Sequence, residues 1–277
     1  MRIYICADIE GVAGVVDIDQ LQPSGSGHDE ARRLMTGEVL AAIEGARAAG
    51  AGEIVVADSH GNGRNLLISD FPDAVELVQG WPRPLVMMQG IEQGRFDGML
   101  FIGHHAGAGS SDGVLAHTMS GRLIADVTVN GESWSETDLN AAIAAHFGVP
   151  VLLATGDNAY TGHVQRILPG AATVTTKAAF GASSARSLTP AAGRAKIRAA
   201  AEEAVRALPS AEVSALSQAP LEVELTLKRR QAAELLAYLP IVERVAAHTV
   251  RFRAGDVLQL NAMLYFVAAY DPKGALF

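Results

Sequence analysis

The apolar run Ile3-Tyr4-Ile5-Cys6-Ala7 leads directly into Asp8-Ile9-Glu10-Gly11. β-branched and aromatic residues closed by a glycine specify a buried strand. Side chains alternate along a strand, so Asp8 and Glu10 share one side and Ile9 takes the other. Two carboxylates at the end of a buried strand repel each other and lose water, so they demand a counter-charge. A bound cation supplies one. In open α/β sheets, ligands gather beyond the carboxyl ends of the strands. This stretch therefore points both to a fold class and to a place for chemistry.

The same arrangement recurs downstream. Ile54 to Ala57 reads as a second strand delivering Asp58-Ser59-His60, and Gly98 to Gly103 as a third delivering His104-His105. Val149 to Ala154 and Ala172 to Thr176 are further strands, and Val75 to Val78 and Leu85 to Met88 are short extended pieces. Leu123 to Val129 turns at Asn130-Gly131, a hairpin signal. Helices are expected at His28 to Ala49, at Thr137 to Phe147 with Ser135 as a cap, from Asp157 to Leu168, and at Pro190 to Leu208. Strands alternating with helices give an α/β fold with a mostly parallel central sheet flanked by helices.

From Pro209 the texture changes. Leu221 to Leu227 alternates as a half-exposed antiparallel strand. Arg229 to Leu239 reads as a helix stopped by Pro240, Val250 to Arg253 as a strand and Asp256 to Ala269 as a helix. Two units are expected: an α/β metal-binding catalytic domain over 1–208 and a smaller C-terminal α+β unit over 209–277.

The 277 residues are 49% hydrophobic, enough for a substantial core. The net charge is −8, with scattered lysines and arginines. No basic stripe suits nucleic acid and no basic amphipathic helix suits a membrane surface. The one cysteine, Cys6, sits inside the first strand and reads as a packing residue, which fits a reducing compartment. No signal-peptide pattern precedes that strand, and the longest apolar runs, such as Ala262 to Tyr270, are too short to span a bilayer. A cytoplasmic protein is expected.

Asp8, Glu10, His60 and one or both of His104 and His105 are the candidate metal ligands, each just after an apolar strand. Carboxylates mixed with imidazoles suit zinc, and manganese less well. The set exceeds the three protein ligands of a simple catalytic zinc, and two metals sharing a carboxylate use it better. Each residue alone also has a plain structural reading, as a helix cap or a hydrogen-bonded histidine. Asp58 suits either a cap or a carboxylate supporting a ligand imidazole. Glycines 107, 109 and 113 suggest a phosphate-cradling loop but lack P-loop spacing. The residues together read as a metallohydrolase.

Five motifs then appear in order: Asp-x-Glu-Gly at 8–11, Asp-Ser-His at 58–60, Gly-x-His at 103–105, Gly-Val-x-x-His-x-Met at 113–119 and Glu-x-x-Leu-Asn-Ala at 136–141. Together they resemble the DppA-type zinc D-aminopeptidases, closely over roughly the first 160 residues and only in texture beyond. The resemblance implies two zinc ions per chain. It implies Asp8 as the bridging ligand, with Glu10, His60, His105 rather than His104, and Glu136 as the others. Glu132 is as plausible as Glu136 from the residues alone. It implies His117 as the catalytic residue; the interval from His105 to His117 is one residue longer than in the family pattern. It further implies short peptides with an N-terminal D-residue such as D-Ala as substrates, and a ring-shaped homo-oligomer, a decamer, enclosing the active sites. D-stereospecificity rests on the resemblance alone. Rival readings are another metal-dependent amidohydrolase or phosphoesterase, although few basic residues lie near the motifs to neutralise phosphate, and a non-catalytic peptide-binding protein.

Overall fold

The computed structural model describes residues 1–208, 211–216 and 220–270; the expected unit boundary at Pro209 lies outside them. The chain begins with β1 (Arg2–Ala7), α1 (His28–Ala48), β2 (Glu53–Asp58), β3 (Val75–Val78) and β4 (Gly98–His104). It continues through β5 (Ile124–Val129), β6 (Glu132–Ser133), α2 (Glu136–His146), β7 (Val151–Asp157), α3 (Asn158–Ile167), β8 (Ala172–Gly181), β9 (Ser184–Ser187) and α4 (Pro190–Arg206). The last part holds β10 (Leu221–Leu227), α5 (Arg230–Leu236), β11 (Glu243–Arg244), β12 (Thr249–Ala254) and α6 (Val257–Ala269).

Among the described residues, seven strands form one sheet in the order β3-β2-β1-β4-β7-β8-β9. All neighbours in it are parallel except β8 and β9. The strand order reverses between β1 and β4, and such a switch point opens a crevice beyond the carboxyl ends of its two strands. Asp8 follows β1, and His104 and His105 close β4, so the sequence sets its polar residues at that crevice.

The sheet is apolar on both faces. Ile3, Ile5 and Ala7 pack with Met35, Val39 and Ile43 of α1 and Ile197 and Ala201 of α4. Tyr4 and Cys6, alternating with them, face the other way, toward Phe101, Ile143 of α2, Leu225 of β10 and Leu260 of α6. Each such aliphatic side chain removed from water contributes about 1.5–3 kcal/mol, an upper figure because the unfolded chain is not fully extended. Ile9 joins the first layer, so alternation turns Asp8 toward the second. Cys6 is buried there beside the Ser59 hydroxyl, and burial pushes its thiol up to about 12, as suits a packing residue.

The second sheet is antiparallel, in the order β11-β12-β10-β5-β6. Its β5 and β6 come from the 124–133 hairpin, so the C-terminal strands are built directly onto the first part of the chain. Two local expectations need correction. Val86–Met88 is a 3₁₀ turn rather than part of an extended piece, because Pro82 and Pro84 just before it lack the N–H groups of a strand ladder. The strand expected to end at Thr176 runs on to Gly181 and returns as β9, a polar hairpin with little apolar alternation to betray it.

Candidate functional site

The crevice is made by two loops crossing almost in contact. The N–H of Asp8 donates to the Ile102 carbonyl at 2.8 Å and that of Gly11 to the Gly103 carbonyl at 2.8 Å. A Cβ at Gly11 would stand 1.8 Å from the His104 carbonyl oxygen, and one at Gly103 (φ +75°) would stand 2.3 Å from that of Asp8. Only glycine allows this approach. It brings the end of β1 against the end of β4, and Asp8 and Glu10 against His105.

Lys177 of β8 secures the same loop from below. Its ammonium is buried and donates to the carbonyls of Glu10, Val12 (3.0 Å) and Val15. Burial lowers it to about 8. No local sequence pattern announces this residue.

Two groups of potential ligands overlap at one carboxylate: Asp8 with Glu10 and His60, and Asp8 with His105 and Glu136. Asp8 Oδ1 lies 3.4 Å from His60 Nδ1, and its Oδ2 lies 3.5 Å from His105 Nε2. Glu10 Oε2 is 3.0 Å from His60 Nδ1, and Glu136 Oε1 is 3.7 Å from His105 Nε2. Two ligands of a tetrahedral zinc held at about 2.0–2.1 Å stand about 3.4 Å apart. The observed separations fit that edge, and Asp8 offers one oxygen to each group. A third group combines Glu10 and His105 with His117.

The rings are oriented for lone pairs to face inward. His60 Nε2 lies 3.0 Å from the Leu21 carbonyl, His105 Nδ1 2.9 Å from that of Ala106, and His117 Nδ1 2.9 Å from that of Leu115. A backbone carbonyl accepts a hydrogen bond, so each of these nitrogens carries a proton, and the other is the one that offers a lone pair once the ring is neutral. The neutral ring is the form that binds a metal. His105 and His117 stack with centroids 4.1 Å apart and planes 9° apart.

Electrostatics make the same demand. Burial and the Glu10 charge push Asp8 up to about 7. Burial works against a charge on Glu10 too, yet His60 holds it well below its ordinary value. Burial opposes charge on the imidazoles, but Glu10 and Asp8 raise His60 well above its usual value, and Glu136 and Glu10 raise His105 to about 9. With no cation among these carboxylates, protons on the rings act as counter-charge. A divalent ion takes over that role while the rings become neutral. The donor set fits zinc.

Glu136 is the first residue of α2 and is buried, whereas Glu132 on β6 is exposed. Ser135 and Asp138 form a capping box that fixes this helix start, and the Met119 N–H donates to Glu136 Oε1 at 2.6 Å. Asp58 braces the loop that follows it, neither capping a helix nor partnering the His60 ring. Its oxygens accept from the N–H groups of Asn65 and Leu66 and from the Asn65 amide, which also donates to the His60 carbonyl.

His104 points away from the cluster. It lies 3.2 Å through Nε2 from the Cys6 carbonyl and packs between Phe101 and Tyr160. Burial and the neighbouring His105 push it down to about 4. His104→Ala is expected to keep the metal of the wild type and to lose about 1–3 kcal/mol of stability with a buried hydrogen bond. His105→Ala is expected to lose metal. Metal content per chain and a thermal melt of both variants check this, and the reverse pattern would reassign the ligand.

The cluster opens into a cavity of about 380 Å³ whose lining includes Asp8, Glu10, His60, His117 and Glu136. Trp81 and Tyr265, which no motif in the sequence singled out, line it as well.

Comparison with known proteins gives the family. The family model described as D-aminopeptidase matches residues 1–266. A D-aminopeptidase of Bacillus subtilis (strain 168) is 31% identical over 195 residues, 70% of each chain. The solved structure titled Zn-dependent D-aminopeptidase DppA from Bacillus subtilis, a self-compartmentalizing protease, superposes with a TM-score of 0.90 at 26% identity, covering 98% of this chain and 99% of that one. Fold and sequence therefore converge, and the chain belongs to the D-aminopeptidase family.

Proposed function

We propose that this protein removes the N-terminal residue, a D-amino acid such as D-Ala, from short peptides, using two zinc ions per chain. The observation that supports this most is the pair of ligand groups sharing Asp8, with one carboxylate oxygen turned to each. In this reading Asp8 would serve both ions, Glu10 and His60 would complete one site, and His105 and Glu136 would complete the other. When bound, zinc acidifies water toward neutrality and polarises the scissile carbonyl. His117 stands at the cavity with a free Nε2, 4.0 Å from Glu10 Oε1 and 3.7 Å from Glu136 Oε1. It is placed to take a proton or return one to the leaving amine. The free amine of the substrate supplies an anchor that an internal peptide bond lacks.

Among the described residues no helix is long and apolar enough to cross a membrane. We place the protein in the cytoplasm on its single buried, reduced cysteine. The solved relative is described as self-compartmentalizing. By likeness to it, this chain assembles with copies of itself, and the motif resemblance implies a ring-shaped homo-oligomer, a decamer.

Metal analysis combined with D-Ala-Gly, L-Ala-Gly and a phosphate ester tests the reading. About two zinc ions per chain and cleavage of the D-dipeptide alone are expected. Cleavage of the phosphate ester alone, or of none of the three by the zinc-loaded protein, would overturn it.

A further inference from the structure

The cavity lining mixes two kinds of side chain. Beside the carboxylates and imidazoles it carries Trp81, Val86, Met87, Met119, Tyr265 and Ala268, an apolar wall. These residues come from three separate parts of the chain, and α6 supplies the last two. The wall is held firmly. The Arg83 guanidinium stacks 3.8 Å from the Trp81 ring and is itself tied to the carbonyls of Asp58 at 2.7 Å and Val78 at 3.1 Å. Tyr265 leans on Trp81 as well, with ring centroids 5.7 Å apart. Val86 and Met119 have φ of 51° and 59°. A β-branched or bulky residue adopts that conformation only where its surroundings impose it, and such strain gathers at ligand-binding sites.

We propose that this wall is the pocket for the side chain of the substrate's N-terminal residue, and that it selects large apolar D-residues, leucine-like or phenylalanine-like, over D-alanine. The inference rests on the aminopeptidase reading above. The amine and the scissile carbonyl of the substrate flank one carbon, the α-carbon of its first residue. With both groups held among the carboxylates and imidazoles, the side chain on that carbon lies next to the apolar residues that share the lining. The rest of the peptide, of variable length, leaves through the open mouth. A methyl group would leave the apolar lining to water, whereas a branched or aromatic side chain displaces that water and covers it.

The test compares kcat/KM of the zinc-loaded enzyme on D-Ala-Gly, D-Leu-Gly, D-Phe-Gly and D-Ala-D-Leu. D-Leu-Gly is expected to exceed D-Ala-Gly by about 10-fold or more, the discrimination that a few methylenes give in an apolar pocket. Two variants with opposite volume changes should both lower the D-Leu-Gly to D-Ala-Gly ratio. Tyr265→Ala removes wall and Ala268→Leu fills space, and each is expected to bring the ratio to within about 3-fold of unity. Either variant is scored by this ratio, which a general loss of folded enzyme does not move. Equal or better cleavage of D-Ala-Gly, a ratio unchanged in both variants, or a preference carried instead by D-Ala-D-Leu would overturn the proposal and leave the aminopeptidase reading intact. Failure to cleave any of the four would overturn that reading as well.

Discussion

Asp8→Ala should retain at most a small fraction of the two zinc ions and lose more than ~10³-fold in kcat/KM. Its two oxygens face different imidazoles, so its removal strips a ligand from both groups at once. Loss of a partner that merely supports a ligand costs ~10–100-fold in metal affinity or activity. Loss of a shared ligand costs more. The comparison that isolates bridging is His60→Ala, since His60 belongs to one group only. That variant should fall to about one zinc per chain while Asp8→Ala falls toward none. Metal content after dialysis, measured beside kcat/KM, checks both. Asp8→Ala with full metal and full activity would dismantle the site.

His117→Ala should lose ~10²–10⁴ in kcat while keeping its zinc, the size of a general acid–base contribution. A group that acts in the transition state lowers kcat and kcat/KM together. The geometry favours that role over a purely structural one. The His117 side chain is 23% exposed where those of the carboxylates and of His105 are 2–8%, so it meets the cavity rather than the core. Its loop is preset by positive φ at Leu115 and Met119 on either side. Nearly unchanged turnover in the zinc-loaded variant would return His117 to a structural role. Loss of zinc would make it a ligand, as its place in a third potential group allows.

Much of this was legible because parallel sheets write their sites in short local code. An apolar run ending in Asp-x-Glu, Ser-His or His-His locates strand, edge and chemistry together. Alternation alone separated Asp8 from Ile9. The family motifs added Glu136, whose local surroundings distinguish it from Glu132 only through the Ser135 cap. Partners chosen by long-range packing stayed hidden. Trp81 follows a polar turn, and Tyr265 sits in a helix apolar on every side, so neither stood out as a cavity wall. The Val86–Met88 turn looked extended because its residues are apolar and its short prolines-first context leaves either conformation open. Asp58 carried two readings, and only the position of Asn65 showed it to brace the loop instead.

Lys177 gives the metal centre a place in the order of assembly. It ties down the Glu10 carbonyl across 167 residues of chain. Every proposed ligand lies within the first 136 residues, so an emerging chain carries the whole donor set well before it carries its clamp. Contacts of such high sequence separation form late, once loop closure has been met by the packing around them. Contacts between the ends of β1 and β4 already hold Asp8 and Glu10 against His105, and the Lys177 clamp from β8 adds the last restraint on the Glu10 loop. Lys177→Met is therefore expected to leave the donor set in place but to hold zinc less tightly, a difference that zinc content after dialysis would show.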